Sequence, residues 1–316
     1  MLAKKVVDEK ESTIIYDLRE LRRRYIAGER NFSGFDLKNF HLSEFFLVDI
    51  NLSGANLEDA SLGGANLINS NLSHANLERV WLDQSLLIKA KLSNANLRNT
   101  TLVNVDLTGA DLTGADLTGA DLTGAVLIDT ILTDANLTDI KTTERTIFHQ
   151  VTMPDGRIQN NLNRVLSAEE LLRRYGEGER NFQDKILHRV DLSGAELRDI
   201  DLSRSRLSYV NFSCACLENV GLGMAIFSDF RNVRFSRDED WLGVYFFYCD
   251  LREANLSGVD MSYSKFIGSN LLEARVCGGI QGDIFFYETT WINGEFIPGP
   301  INATEHWHGE IREGEF

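Results

Sequence analysis

Hydrophobic positions in this chain follow a single rule over a long stretch. A leucine or phenylalanine occupies every fifth residue from Phe32 through Leu37, Leu42 and Leu47 to Leu137, 22 times without a gap. An α-helix advances about 100° per residue, so a five-residue step would scatter these side chains around the cylinder. A strand alternates its faces, so an odd step would send successive leucines to opposite sides. The spacing predicts a backbone that turns once per five residues, bringing each leucine to a common axis.

The neighbouring positions have their own grammar. Two residues before the leucine the side chain is small, as at Ala55, Ala65, Ala75, Ala95 and Ala115. Immediately before it stands Asn or Asp, as at Asn51, Asn56, Asn76, Asp111 and Asp116. The remaining two positions favour Ser, Thr, Gly, Asn and Asp, which suit a turn in every repeat. Proline cannot donate to a backbone ladder, and Pro154, Pro298 and Pro300 all lie outside the repeat runs.

This A-(D/N)-L-x-x grammar, seen at its purest over residues 105–125, resembles the pentapeptide-repeat family. The resemblance extends over roughly two thirds of the chain. It implies an all-β fold: a right-handed parallel β-helix of square cross-section, with four pentapeptides per coil. Leucine-rich repeats differ, because their leucines are unevenly spaced within a period of about 20–29 residues.

A second run starts at Phe182 and continues through Leu187 and Leu192 to Phe227. It slips around Phe230 and Phe235, is interrupted by an insertion at residues 236–243, and resumes from Phe246 to Val276. Both runs follow the same preamble, Arg-Arg-Tyr before Gly-Glu-Arg-Asn-Phe, ending at Phe32 and Phe182. Asp17 with Glu20, and Ser167 with Glu170, have the spacing of helix N-caps. A short amphipathic helix is therefore expected to cover the open end of each solenoid. Phe35, Phe40, Phe45 and Ile50 replace alanine in the first coil and are expected to plug it beneath that helix. Met153-Pro154-Asp155-Gly156 and Asn293-Gly294 predict closing hairpins. The organisation expected is an N-terminal segment and capping helix (1–30), a first solenoid with its flap (31–156), and a linker with the second capping helix (157–180). A second solenoid with its hairpin (181–297) and a polar tail (298–316) complete it. The tandem build resembles long cyanobacterial members of the family.

Charge changes this picture unevenly. The chain carries a net charge of −15, which argues against direct nucleic-acid binding. Residues 31–140 contain 14 acids and 5 bases, a balance of −9; residues 181–282 contain 14 acids and 11 bases, a balance of −3. No apolar stretch is long enough to span a bilayer. Four cysteines without a framework spacing predict a reducing, cytoplasmic setting.

Candidate chemistry is sparse. Cys214 and Cys216 are separated by one residue, but Cys216 occupies an ordinary Asn/Asp slot and Cys249 an alanine slot. His306-Trp307-His308 is isolated in the tail. Asp106, Asp111, Asp116 and Asp121 fall on four different faces of a four-repeat coil, so they cannot converge. No catalytic, cofactor-binding or metal-binding residue is expected, no cofactor is implied, and no small-molecule substrate is evident.

Reading equivalent positions of successive coils as columns exposes one unusual face. Val48, Ile68, Ile88 and Ile128 follow the leucine there, and Phe46, Leu86 and Val126 precede it; Trp81 stands on the adjoining face. Both positions should point outward, so the stripe needs cover. A second solenoid, the N-terminal segment, another copy or a separate protein partner could supply it. The column through Gln183, Ser203, Gly223, His188, Ser208 and Ser228 carries no such stripe. The reading favoured is a non-enzymatic protein-binding or scaffold protein. The alternative, suggested by family members that resemble B-form DNA, is a mimic that binds DNA gyrase. An enzymatic site grafted on the 236–243 insertion is the remaining class.

Overall fold

A computed structural model describes residues 17–161, 164–235, 244–257, 259, 261–276, 284–298 and 301–302. The expected N-terminal segment before Asp17, the 236–243 insertion and the His306–His308 triplet lie outside those residues. The chain divides into two compact units, Met1–Leu162 and Asn163–Phe316.

Unit 1 is the right-handed square β-helix that the five-residue step predicts. Parallel bridges join Asn31 to Asn51, Asp36 to Asn56, His41 to Ser61 and Phe46 to Asn66, so each position pairs with its counterpart four repeats on. Each central leucine donates its N–H to the coil ahead, as Leu52 does to the Asn71 carbonyl at 2.7 Å. The small residue then closes the corner, as when the Ala55 N–H reaches the Leu52 carbonyl at 3.0 Å. The second residue after the leucine takes the left-handed conformation, whether Gly54 (φ 66°), Asn69 (φ 58°) or Asp134 (φ 56°). Asn, Asp and Gly tolerate that conformation best, which explains their abundance at the corner. The leucines and alanines fill the interior and are buried, except that Leu137 at the end of the run is only partly so.

The Asn before each leucine performs two tasks. Asn76 Oδ1 accepts the Glu78 N–H at 3.3 Å, fixing its own turn. Its amide also joins a ladder: Asn96 Nδ2 donates to Asn76 Oδ1 at 2.9 Å, and Asn76 Nδ2 to Asn56 Oδ1 at 3.1 Å. Where Thr or Ser replaces the small alanine, the buried hydroxyl can bond to the previous coil, as Thr100 Oγ1 does to the Leu77 carbonyl at 2.9 Å.

Helix α1 (Leu18–Ile26) covers the first coil. The Asp17 carboxylate accepts the Glu20 N–H at 2.9 Å, and Leu21 and Tyr25 are buried against the solenoid end. Phe35 and Ile50 are buried in the same cluster, with Phe40 and Phe45 packed at its margin. The Arg24 guanidinium lies 5.4 Å from the Phe32 ring centre and pairs with Glu29. At the far end Val151–Thr152 and Ile158–Gln159 form an antiparallel flap.

Unit 2 repeats this plan. Helix α2 (Ala168–Gly176) begins where the Ser167 hydroxyl accepts the Glu170 N–H at 3.2 Å. Thr289–Thr290 and Phe296–Ile297 pair antiparallel as its flap. One coil is short: Leu207 pairs with Ala225 rather than with Phe227, and Ala225 then pairs with Phe246. The five-residue step placed Phe227 inside; instead Ala225 is the interior residue, and Phe227 sits on the left-handed corner at φ 48°. The chain is shortened over Gly221–Met224, and the side chains that follow are displaced from the slots the step assigned them. Gly223 makes this possible, because a Cβ there would lie 2.0 Å from the Ser205 carbonyl oxygen. Outside the solenoid, Phe227 stacks between Tyr209 and Tyr248, each at 5.2 Å.

Candidate interaction surfaces

The apolar column of unit 1 is buried. Val48, Ile68, Ile88 and Ile128 have 0% exposure and Val126 3%, while Phe46 and Leu86 are half-buried. Val48, Ile68, Ile88, Val126 and Ile128 stand outside the interior cluster of leucines and alanines, as strand alternation requires of residues flanking an inward leucine. The stripe is thus covered surface rather than an open patch.

Unit 2 has a counterpart that the five-residue count missed. Following the observed register, the position after the interior residue runs His188, Ser208, Ile226, Phe247, Ile267 and Tyr287. The last four are apolar and essentially inaccessible. Counting in fives across the short coil led to Ser228 instead of Ile226, so this column read as polar.

Trp81 differs from the rest of the candidate set. It stands on the adjoining face, paired to Ser61 and Thr101 by parallel bridges, and is 53% exposed. Its indole leans over Gly63: a Cβ built there would be 3.6 Å from Trp81 Cε2. The side chain of Glu44 covers the next residue, with its Cγ 3.4 Å from the corresponding point on Gly64. Asp83, two residues after Trp81 in the same repeat, accepts the Val103 N–H of the coil ahead at 3.2 Å.

The nearby charges divide into compensated and uncompensated groups. Arg79 pairs with Glu58, with Asp59 at 2.8 Å and with Glu78 at 2.6 Å. Lys38 reaches Glu58 at 3.0 Å, Arg98 reaches Asp116 at 3.0 Å, and Lys141 lies 3.9 Å from Asp121. These hydrogen-bonded partners hold the Glu58 and Asp59 carboxyls below their ordinary range. Glu44 and Asp83 have no cationic partner among the described residues.

The four aspartates of residues 106–121 do not converge. Each caps its own turn: Asp106, Asp111 and Asp116 accept both the N–H and the hydroxyl of the Thr two residues on, and Asp121 accepts the Thr123 N–H. Partial burial pushes the Asp111 and Asp116 carboxyls up, but Thr113, Ser93 and Lys91 at Asp111, and Thr118 and Arg98 at Asp116, together outweigh it and hold both below the usual range. Cys249 fills an alanine slot, and burial raises its thiol to about 12. Burial and the nearby Glu218 also raise the Cys216 thiol. Among the described residues no group of three His, Cys, Asp or Glu side chains could hold a metal ion.

The coil geometry and its sequence grammar have a match among known families. The family described as pentapeptide repeats matches residues 50–88, 82–119, 90–127, 102–139, 186–221 and 243–278. The chain belongs to the pentapeptide-repeat family. The matched segments stop short of the first coil, where Phe35, Phe40 and Phe45 replace the alanine of a pentapeptide repeat, and leave a gap over the short coil.

Solved structures of pentapeptide-repeat proteins align as well. HetL from Nostoc sp. strain PCC 7120, a protein involved in heterocyst differentiation regulation, is 25% identical; the alignment covers 90% of this chain and 100% of HetL with a TM-score of 0.26. The protein alr5209 from Nostoc PCC 7120 is 26% identical over 40% of this chain and 96% of its own, with a TM-score of 0.23. QnrB1, a plasmid-mediated fluoroquinolone resistance protein, is 14% identical over 83% of this chain and 90% of its own, with a TM-score of 0.32. No curated protein matches the chain.

Proposed function

We propose that this pentapeptide-repeat protein is a non-enzymatic, protein-binding scaffold that works through the rigid outer surface of its solenoids. The observation that carries this reading is the outward apolar column of unit 1: Val48, Ile68, Ile88 and Ile128 lie outside the interior cluster yet are inaccessible within the chain, so this outer face is already covered rather than solvated. An outward row of β-branched residues adds nothing to the solenoid interior, so its presence fits a surface built for docking. Trp81, on the adjoining face, leaves a second apolar contact open to a partner. A cytoplasmic location suits the unpaired thiols of Cys214, Cys216 and Cys249.

The test is to replace Ile68 and Ile88 together with Lys. The variant should lose thermal stability, change its association state, or fail to capture the partners that wild-type protein retains from its host. If mass by sedimentation, melting temperature and captured partners all match wild type, the docking role of this face is wrong.

The −9 balance of residues 31–140 favours a second reading, in which an acidic rod occupies the DNA-binding surface of a topoisomerase. The apolar column and the near-balanced unit 2 count against it. An unchanged rate of gyrase supercoiling at micromolar protein would eliminate it.

A further inference from the structure

We propose that Trp81, Glu44 and Asp83 form a docking site for a lysine- or arginine-bearing segment of a partner protein. The inference rests on unit 1 being a binding surface, and names the chemistry of what it binds. Its basis is one local arrangement. Two consecutive glycines, Gly63 and Gly64, leave a floor without side chains. Trp81 leans over the first and Glu44 over the second. Glu44 belongs to the first coil of the solenoid and Trp81 to a later one, so only the stacking of coils brings them beside the same glycine pair. Asp83, two residues after Trp81 in the same repeat, adds a second carboxylate, one oxygen of which accepts the Val103 N–H.

An exposed indole with carboxylate-bearing side chains at neighbouring lattice positions suits a cation. The ring face attracts an ammonium or guanidinium group through its quadrupole, most strongly for tryptophan. The carboxylates supply hydrogen-bond acceptors and the compensating charge. Charge complementarity selects a basic occupant over a neutral one. The basic side chains nearest in the repeat lattice, Arg79 and Lys38, are already engaged with Glu58, Asp59 and Glu78. Glu44 and Asp83 are acids left without a cation among the described residues. The half-exposed Trp81 offers the apolar contact that a purely electrostatic surface lacks.

A labelled oligolysine peptide titrated against the full chain, followed by fluorescence anisotropy at low salt, tests the site. Trp81→Ala should weaken binding about three- to fivefold, the range of an exposed cation–π contact. Glu44→Gln with Asp83→Asn should weaken it at least as much. Asp36→Asn with Asp139→Asn removes the same charge from a different face and should leave affinity near wild type. Equal weakening by the two charge pairs would mean diffuse attraction and overturn the site. So would unchanged binding by Trp81→Ala, or no peptide binding by the wild type. None of these failures bears on the scaffold reading, which stands or falls on the Ile68 and Ile88 variant.

Discussion

The Tyr25 hydroxyl donates to the Val48 carbonyl at 2.9 Å, tying the capping helix to a strand of the first coil. The same relationship recurs at the second cap, where the Tyr175 hydroxyl donates to the Arg198 carbonyl at 3.3 Å and accepts its N–H at 2.8 Å. Arg30 and Arg180 each lie 4.0 Å from the ring centre of their tyrosine. The duplicated preamble is therefore a complete cap, with helix, tyrosine anchor and arginine cover repeated together.

Removing that anchor should matter most in unit 1, where Tyr25 is buried and its bond is inaccessible to water. Tyr25→Phe is expected to cost about 1–2 kcal/mol, because a buried carbonyl loses its donor. Tyr175→Phe, at the more exposed counterpart, should cost less. Urea unfolding of the two variants checks the order; equal losses would contradict it.

The short coil of unit 2 depends on Gly223. A methyl group there would meet the Ser205 backbone at 2.0 Å from its oxygen and 2.6 Å from its nitrogen, and neither atom belongs to a flexible side chain. Gly223→Ala should destabilise unit 2 by more than about 3 kcal/mol, or prevent its folding. Gly54→Ala, with open space around it and a φ of 66°, should cost only about 1 kcal/mol. Limited proteolysis, with the fragments identified by mass, would show which unit opens in each case.

Thr100 sits in an alanine slot and makes up its polarity with one bond to Leu77. Thr100→Val keeps the shape but removes the donor, so a loss of about 1–3 kcal/mol is expected. Thr100→Ser retains the hydroxyl and should stay closer to wild type. Thermal melting of the pair distinguishes the hydrogen bond from simple packing.

The capping aspartates predict acid lability. Asp111, Asp116, Asp121 and Asp201 are held below their ordinary values by hydrogen bonds that outweigh any burial penalty. A carboxyl depressed in the folded state stabilises it fully above the unfolded value of about 3.9, and that contribution disappears as pH falls through the folded value. Urea midpoints should be flat above about pH 5 and fall steeply below about pH 4. Asp111→Asn, which keeps an acceptor but cannot titrate, should make the acid limb shallower; an unchanged slope would contradict the assignment.

The cover of the apolar column and the register of unit 2 were not legible along the chain in the same way as the coil. The five-residue step identifies Leu37 as interior because every repeat independently makes the same steric choice. Phe227 obeyed the step in the sequence and broke it in the fold, since the shortened chain upstream shifts its side chain from the axis to the corner. Glu44 and Trp81 gave no sign of a relationship along the chain, because it arises through two consecutive glycines, Gly63 and Gly64, in the coil that separates them.

Local sequence was sufficient for the coil, its left-handed corners, the two helical caps and the closing hairpins. All of these arise from interactions within one repeat or between identical positions of adjacent coils. The tertiary structure decided that Ala225 displaces Phe227 from the interior, that the Ile68 column is inaccessible, and that Trp81 stays exposed. Local steric preference repeats along a chain, whereas solvent access is set by whatever lies against a side chain once the chain has folded.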